Sequence, residues 1–333
     1  MSDIDCLIVG AGLAGLMAAR ALEAGGWRVR LLEQNDRVGG RLCTVRLPAH
    51  DEGGQAALCD AGAQYFTVRD DRFRAWVERW QGAGIVRRWS RGFASGDKPA
   101  SPDGYPRYIT VGGMERLAEH LAPGLDVQLQ GAVGAASWDG AWQIKVEDGD
   151  TVRAGALLLT PPVPRSLALL RVGNVALPGD VWEALEAIDY EPCLALLLSL
   201  DGPSAIPPPG GLWPSGGAIG WIADNVQKGL SPMPAVTIHA TPTFSRRHWA
   251  TAEEAVTRLL LEEASPWLEA TVMAARLVRW QYSKPPRTYP YPCLYSSRPA
   301  PLAFAGDAFA GPRVEGAALS GLAAADALLE QAR

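Results

Sequence analysis

The feature that most restricts what this chain can fold into lies in its first 33 residues. Asp5-Cys6-Leu7-Ile8-Val9 is a short apolar run, the pattern of a buried parallel strand. It breaks at Gly10-Ala11-Gly12-Leu13-Ala14-Gly15, a G-x-G-x-x-G sequence, and passes into a segment whose Leu13, Leu16, Met17 and Leu22 suit one helix face. Gly25-Gly26 stops that helix, and Arg28 to Leu32 reads as a second strand ending at Glu33. Strand, glycine turn, helix and strand form one βαβ unit. Gly10 allows the tight turn, Gly12 lets the backbone approach a pyrophosphate, and Gly15 lets the helix pack close to the strand. A pyrophosphate there meets free N–H groups and the positive end of the helix dipole. Glu33, twenty-three positions after Gly10, can accept hydrogen bonds from ribose hydroxyls and repel a 2′-phosphate. Together these residues outline the ADP half of a dinucleotide site.

The rest of the chain must be organised around that unit. A length of 333 residues suits two domains. Hydrophobic residues at 48% and charged residues at 20% supply an ordinary globular core. The net charge of -5 and scattered basic residues, of which only Lys98, Lys145, Lys228 and Lys284 are lysines, argue against nucleic acid as a partner. Five cysteines without a C-x-x-C pair, and four histidines without metal-type spacing, predict reduced thiols and no metal site. The apolar stretch from Cys6 to Leu22 lacks a basic n-region and is interrupted by glycines and Arg20, so neither a signal peptide nor a membrane span is expected. The expectation is a soluble cytoplasmic protein.

Further along, Arg72 to Trp80 reads as a helix, 91–106 as a Gly/Ser/Pro-rich surface loop, and a helix follows Thr110-Val111-Gly112-Gly113-Met114 to about Leu121. Val127–Leu129, Ala136–Trp138 and Trp142–Val146 suggest antiparallel strands, and Ala156–Leu159 a buried one. Residues 166–290 differ: strands at Cys193–Leu200, Ala218–Ile222, Ala235–Ala240 and Arg276–Trp280, with a helix near Ala252–Glu263, suggest a mixed antiparallel sheet. Leu302-Ala303-Phe304-Ala305 is again a buried strand, followed by Gly306-Asp307 and an Ala-rich helix from Val314 to Leu329. Its return to the first domain makes that domain discontinuous.

Arg37-Val38-Gly39-Gly40-Arg41 matches the R-x-G-G-R segment of flavin-dependent amine oxidases, in which this segment runs beside the pyrophosphate of FAD. Physically, Gly39 and Gly40 admit close backbone approach, and Arg41 can neutralise phosphate charge. Asp60-Ala61-Gly62-Ala63-Gln64-Tyr65-Phe66-Thr67 resembles the D-x-G-A-Q-Y-F-T segment of the renalase family, and Arg313 to Gly321 resembles the R-V-E-G-A-x-L-S-G segment of its bacterial members. Thr160-Pro161-Pro162-Val163-Pro164, His239-Ala240-Thr241 and Arg279-Trp280 are similar to further elements of that family, and the likeness is loosest through 166–290.

The resemblance implies an α/β fold. A discontinuous Rossmann-type FAD-binding domain (1–68, 107–165 and 291–333) joins a substrate domain (69–106 and 166–290). The latter is α+β on a mixed, largely antiparallel sheet, as in p-hydroxybenzoate hydroxylase and the amine oxidases. It further implies that Ala14, Gln34, Gly62, Ala63, Gln64, Tyr65, Gly306, Asp307, Val314 and Glu315 join the residues above in lining FAD. Thr241, Arg279, Trp280 and Tyr282 become candidates for the substrate face. Read from residue type alone, Trp280 is equally a core residue, His239 a satisfied structural histidine and Asp307 a turn residue. Monoamine oxidases carry a late cysteine that bonds FAD covalently, and no cysteine lies beyond Cys293 here, so the resemblance implies a non-covalent flavin. No general base is assigned, because hydride transfer to flavin N5 needs positioning more than proton transfer. The implied function is a renalase-like oxidase acting on 2- or 6-dihydroNAD(P), with O2 as acceptor. An amine oxidase or desaturase on another small molecule, and a non-catalytic FAD-binding redox sensor, stay open beside it.

Overall fold

The computed structural model describes residues 4–49, 54–147, 149–309 and 311–331. The chain divides into two compact units, Met1–Gly40 with Ala118–Tyr190 and Lys284–Arg333, and Arg41–Leu117 with Glu191–Ser283.

The first unit is built on a six-stranded sheet in the order Leu294–Ser296, Leu302–Phe304, Ala156–Leu159, Cys6–Val9, Val29–Leu32, Asp126–Gln128. Its strands are parallel, apart from the antiparallel edge pair 294–296 and 302–304. Cys6–Val9 sits at its centre with Ile8 opposite both Leu31 and Leu158, and is buried throughout, which is why this strand reads as an unbroken apolar run. Helix Leu13–Ala24 packs along helix Val314–Gln331, and a side chain at Gly321 would meet Ala14 O at 2.1 Å. The terminal strand and helix therefore belong to the same body as the N-terminal βαβ unit. A three-stranded antiparallel sheet, Val133–Trp138, Trp142–Val146 and Thr151–Ala154, completes the unit with helices Val163–Val172 and Gly179–Glu186.

The second unit carries a six-stranded sheet in the order Val272–Lys284, Glu191–Leu200, Ala235–Ala240, Ile219–Asp224, Gly211–Trp213, Ala94–Ser95. Its two faces have different occupants. Leu194, Leu196, Leu198, Val236 and Ile238 face helix Glu253–Leu268, which contributes Val256, Leu260, Ala264 and Leu268 at a four-residue spacing. Truncating one of these leucines to alanine costs about 2–5 kcal/mol. The opposite face, from Leu197, Ala235 and Trp280, receives the hairpin Thr44–Leu47/Ala57–Asp60 through Val45, Leu47, Ala57 and Cys59.

Three expectations change. Asp126–Gln128 is not an antiparallel partner of the strands after it; it pairs parallel with Val29–Leu32, Val127 opposite Leu31, and alternates in exposure as an edge strand does. Residues 163–172 and 179–186 are helical, each begun after a proline N-cap that reads in sequence as a turn. The units also divide elsewhere than at the expected boundaries. Residues 41–68 and 107–117 fall with the second unit, where the hairpin is pinned by apolar packing and by Asp60, while 166–190 and 284–290 fall with the first.

Candidate functional site

In the first unit the glycine turn is built as its sequence demands. Gly10 has φ +96°, a conformation strained for any side chain, and a Cβ there would lie 2.6 Å from Thr160 Oγ1. Thr160 Oγ1 in turn donates to Val9 O at 2.8 Å, tying the strand end to its neighbour. A Cβ at Gly15 would meet Gly10 O at 2.1 Å, so only glycine lets the helix start this close to the strand. Gly12 is the helix N-cap; it forms a bridge with Gly39, and a Cβ at Gly40 would meet only Gly12 Cα, at 3.6 Å.

Glu33 is buried at 5% exposure with its carboxylate directed back onto the turn. Oε2 accepts from Ala11 N at 2.9 Å, and Oε1 accepts from Asn35 N at 3.0 Å and Asn35 Nδ2 at 2.6 Å. Gln34 beside it is exposed. Gly306 and Asp307 follow the strand Leu302–Phe304, and Gly306 N donates to Ser320 Oγ at 2.9 Å. Val314 and Glu315 open helix Val314–Gln331. Thirteen residues assigned from sequence therefore lie in one unit, at strand ends, in first helical turns and in the loop that follows Glu33.

These residues fit an adenine dinucleotide. The helix at Leu13 has no capping side chain and no acidic residue in its first turn, so its leading N–H groups are available to an anion. A Cβ at Gly12 would extend into open space, the room a pyrophosphate needs. The buried Glu33 carboxylate retains lone pairs for ribose hydroxyls.

In the second unit the chemistry gathers around Asp60. Its Oδ1 accepts from Thr44 Oγ1 at 2.6 Å and Met114 N at 2.9 Å, and its Oδ2 from Lys228 Nζ at 2.6 Å. Asp60 O accepts from Gln64 Nε2 at 2.5 Å and Thr237 Oγ1 at 3.2 Å. Ala61 O accepts from Trp280 Nε1 at 2.9 Å and His239 Nε2 at 3.0 Å. Burial lowers the His239 imidazolium to about 4, against the favourable pull of the Ala61 carbonyl, so the ring is neutral near pH 7. Tyr65 continues the segment into an aromatic cluster with Phe93 and Trp221 at 5.2 and 5.6 Å between ring centroids.

Strand alternation sorts the substrate-face candidates. Trp280 lies on the face that carries Ala61. Arg279 lies on the other, exposed, with Nη2 on Thr251 O at 2.8 Å, so the two do not share a surface. Tyr282, two residues on, follows Trp280. Thr241 caps helix Pro242–Arg247 by accepting from Phe244 N at 3.4 Å. Arg41, expected to face phosphate, donates from Nη1 to Ser283 O at 3.0 Å and Tyr282 O at 3.3 Å. Sequence reasoning missed Lys228, Thr237 and Thr44. The available signal was a lysine in a chain with few, beside a strand whose polar Thr237 and His239 alternate with apolar residues.

Among the described residues no helix is long and apolar enough to cross a membrane. Comparison with known proteins matches residues 8–80 to the NAD(P)-binding Rossmann-like domain and residues 81–329 to the Flavin containing amine oxidoreductase family. An L-amino acid dehydrogenase of Synechocystis sp. is 39% identical over 79 residues, 24% of this chain and 16% of that protein. Putrescine oxidase of Kocuria rosea is 65% identical over 74 residues, 22% of this chain and 14% of that protein. The matched segments thus span less than a fifth of these relatives' lengths. Cyclohexylamine oxidase from Brevibacterium oxydans IH-35A shares the fold at a TM-score of 0.68 and 14% identity, covering 99% of each chain.

Proposed function

This chain belongs to the flavin containing amine oxidoreductase family, with FAD as its cofactor, and from that premise we propose that it is an oxidase that takes a hydride from a small organic donor. The observation that carries this is the glycine-lined, uncapped helix N-terminus with Glu33 beneath it. Gly10, Gly12, Leu13, Ala14, Gly15, Gly39 and Gly40 hold the pyrophosphate, and Glu33 with Gln34 the adenosine ribose. Gly306, Asp307, Val314 and Glu315 serve the ribityl and pyrimidine portion. Arg41, Gly62, Ala63, Gln64 and Tyr65 are further cofactor residues. FAD, when bound, supplies a two-electron acceptor that can return electrons to dioxygen as hydrogen peroxide. The attachment is non-covalent. The chain's own part is to orient the donor and exclude water.

We further propose a renalase-like donor, a 2- or 6-dihydronicotinamide. The support is the resemblance of residues 60–67 and 313–321, together with the character of the sheet face beside Ala61. Trp280, Tyr282 and neutral His239 stand there, and the Asp60 carboxylate is already engaged by Lys228, Thr44 and Met114 N. A flat, uncharged ring suits such a surface. A primary amine or amino acid is the second reading, favoured by what the relatives' names say they oxidise. An anaerobic screen decides. Purified yellow protein is mixed with each donor class, and bleaching near 450 nm followed by recovery and peroxide in air identifies the substrate. Protein that carries no FAD, or that no donor bleaches, would refute the oxidase reading.

A further inference from the structure

Helices Pro242–Arg247 and Glu253–Leu268 of the second unit border an open groove of about 560 Å3, lined by Phe244, Arg247, His248, Leu259, Glu262 and Glu263. Small-molecule sites are typically about 300–1,000 Å3, so the groove has room for a ligand. Phe244 packs on the helix-bearing face of the six-stranded sheet, whereas Trp280 packs on the other. The groove is therefore separate from the surface beside Ala61.

Three kinds of group meet in it. The first is an anchored carboxylate. Glu263 Oε1 accepts from Ala218 N at 2.5 Å and Ile219 N at 3.3 Å, which fixes the side chain, while Oε2 has no partner among the described residues. Gly217 makes room for it, since a Cβ there would lie 2.0 Å from Oε1. Glu262 adds a second carboxylate, whose 4.0 Å approach to Arg258 is exposed and holds it weakly. The second group is a cation. Arg247 ends its helix, and its side chain makes no hydrogen bond or ion pair among the described residues. Its planar fork of N–H donors matches a carboxylate. The third is apolar: Phe244 and Leu259, with the His248 ring 4.4 Å from that of Phe244 between centroids.

Arg247 and Glu263 line one groove without coming within the 4.0 Å of an ion pair. Opposite charges that share a groove and do not close on each other are both open to a ligand carrying the complementary pair. Because Glu263 is already held by backbone donors, little of its freedom is lost when that ligand binds.

We propose that this groove binds a free α-amino acid with an apolar side chain. Its carboxylate lies on Arg247, its ammonium on Glu263 Oε2 and Glu262, and its side chain over Phe244 and Leu259. No residue assigned to the cofactor lines the groove, so the proposal stands apart from the FAD reading. The groove is a ligand site and not a second reaction centre.

The test uses α-methyl-L-phenylalanine, which has no hydrogen on Cα and so gives up no hydride there, whatever donor the flavin accepts. Full-length protein with its flavin, labelled with 13C-histidine, gives a ring signal for each of its four histidines, and His248→Gln identifies that of His248. On titration the His248 signal should shift and saturate. Arg247→Met and Glu263→Gln should each weaken binding about tenfold, the scale of one charge-assisted hydrogen bond. Both variants should fold, since Arg247 has no side-chain partner to lose and glutamine keeps an oxygen for Ala218 N and Ile219 N. 3-Phenylpropionate lacks the ammonium and phenethylamine the carboxylate, and each should bind about tenfold more weakly than the amino acid. A His248 signal unmoved up to the ligand's solubility limit overturns the proposal. A shift of the His239 signal alone does so too, by placing the ligand on the Ala61 side. Binding that both variants retain, or that either truncated ligand matches, leaves only an apolar groove and removes the amino-acid assignment.

Discussion

Lys228 Nζ lies 2.6 Å from Asp60 Oδ2, with each side chain 1% exposed. Burial pushes the ammonium below the usual lysine range, against the pull of Asp60. Removing one member of such a pair strands an uncompensated charge, which costs about 3–5 kcal/mol, whereas removing both charges is far milder. Lys228→Met should therefore lower the denaturation free energy by about that amount, and Asp60→Asn combined with Lys228→Met should recover much of it. Denaturant titrations of the three proteins check this. Equal losses in the single and double variants would mean that the ion pair is not what holds residue 60 in place.

Glu33 has two tasks, and its substitution separates them. The carboxylate holds the glycine turn through Ala11 N and its own loop through Asn35, and in the site proposed above it would accept from the ribose hydroxyls of FAD. Charge-assisted hydrogen bonds are worth about 1.5–3 kcal/mol each. Glu33→Ala should weaken FAD binding roughly ten- to a hundredfold, at 1.4 kcal/mol per tenfold. Fluorescence titration of stripped protein measures it, and an unchanged dissociation constant would take Glu33 out of the site.

His239 predicts a pH dependence with a definite sign. Its ordinary value of 6.5 falls to about 4 on folding, chiefly through burial. Between those values the unfolded chain binds a proton that the folded chain refuses. The histidine's contribution is thus full above about pH 6.5 and is lost as pH falls toward 4, by up to about 1.4 kcal/mol per pH unit. His239→Gln should flatten that part of the acid limb. Urea midpoints at neutral and mildly acid pH compare the two proteins, and parallel acid limbs would show that another group is responsible.

The sequence was legible where chemistry is local. Gly10 and Gly15 declare their turn because the positive φ of Gly10 and the contact of Gly15 with Gly10 O are set within six residues of chain, and the short apolar strands around them read as parallel. The hairpin's allegiance was not legible. It depends on Asp60 meeting Lys228, 168 positions away, and nothing local marks that partner. Asp126–Gln128 misled for a related reason, since an edge strand of a parallel sheet alternates in exposure like an antiparallel one. The pairing of Arg279 with Trp280 failed on the simplest rule: neighbours in a strand face opposite ways.

That last point gives the sharpest test of the substrate face. Arg279 is directed at Thr251 O and Trp249 O, near helix Pro242–Arg247, whereas Trp280 is bonded to Ala61 O. If the donor ring lies on the Ala61 side, Arg279→Ala should leave anaerobic flavin reduction within about twofold of wild type. Tyr282→Phe, on the Trp280 face, should change it. Geometry then sets which donors work. Hydride transfer requires the reactive carbon about 3–3.5 Å from the flavin acceptor, and a pocket that seats one ring position there displaces the others. The 2- and 6-dihydro isomers of NAD(P) should therefore bleach the flavin within seconds while 4-dihydro NADH does not. Stopped-flow absorbance near 450 nm with the two variants and three isomers reads both claims at once. If Arg279→Ala alone abolishes reduction, the substrate lies on the opposite face. If neither dihydro isomer bleaches the flavin but putrescine or an amino acid does, the chain is an amine or amino-acid oxidase and the renalase-like reading is wrong.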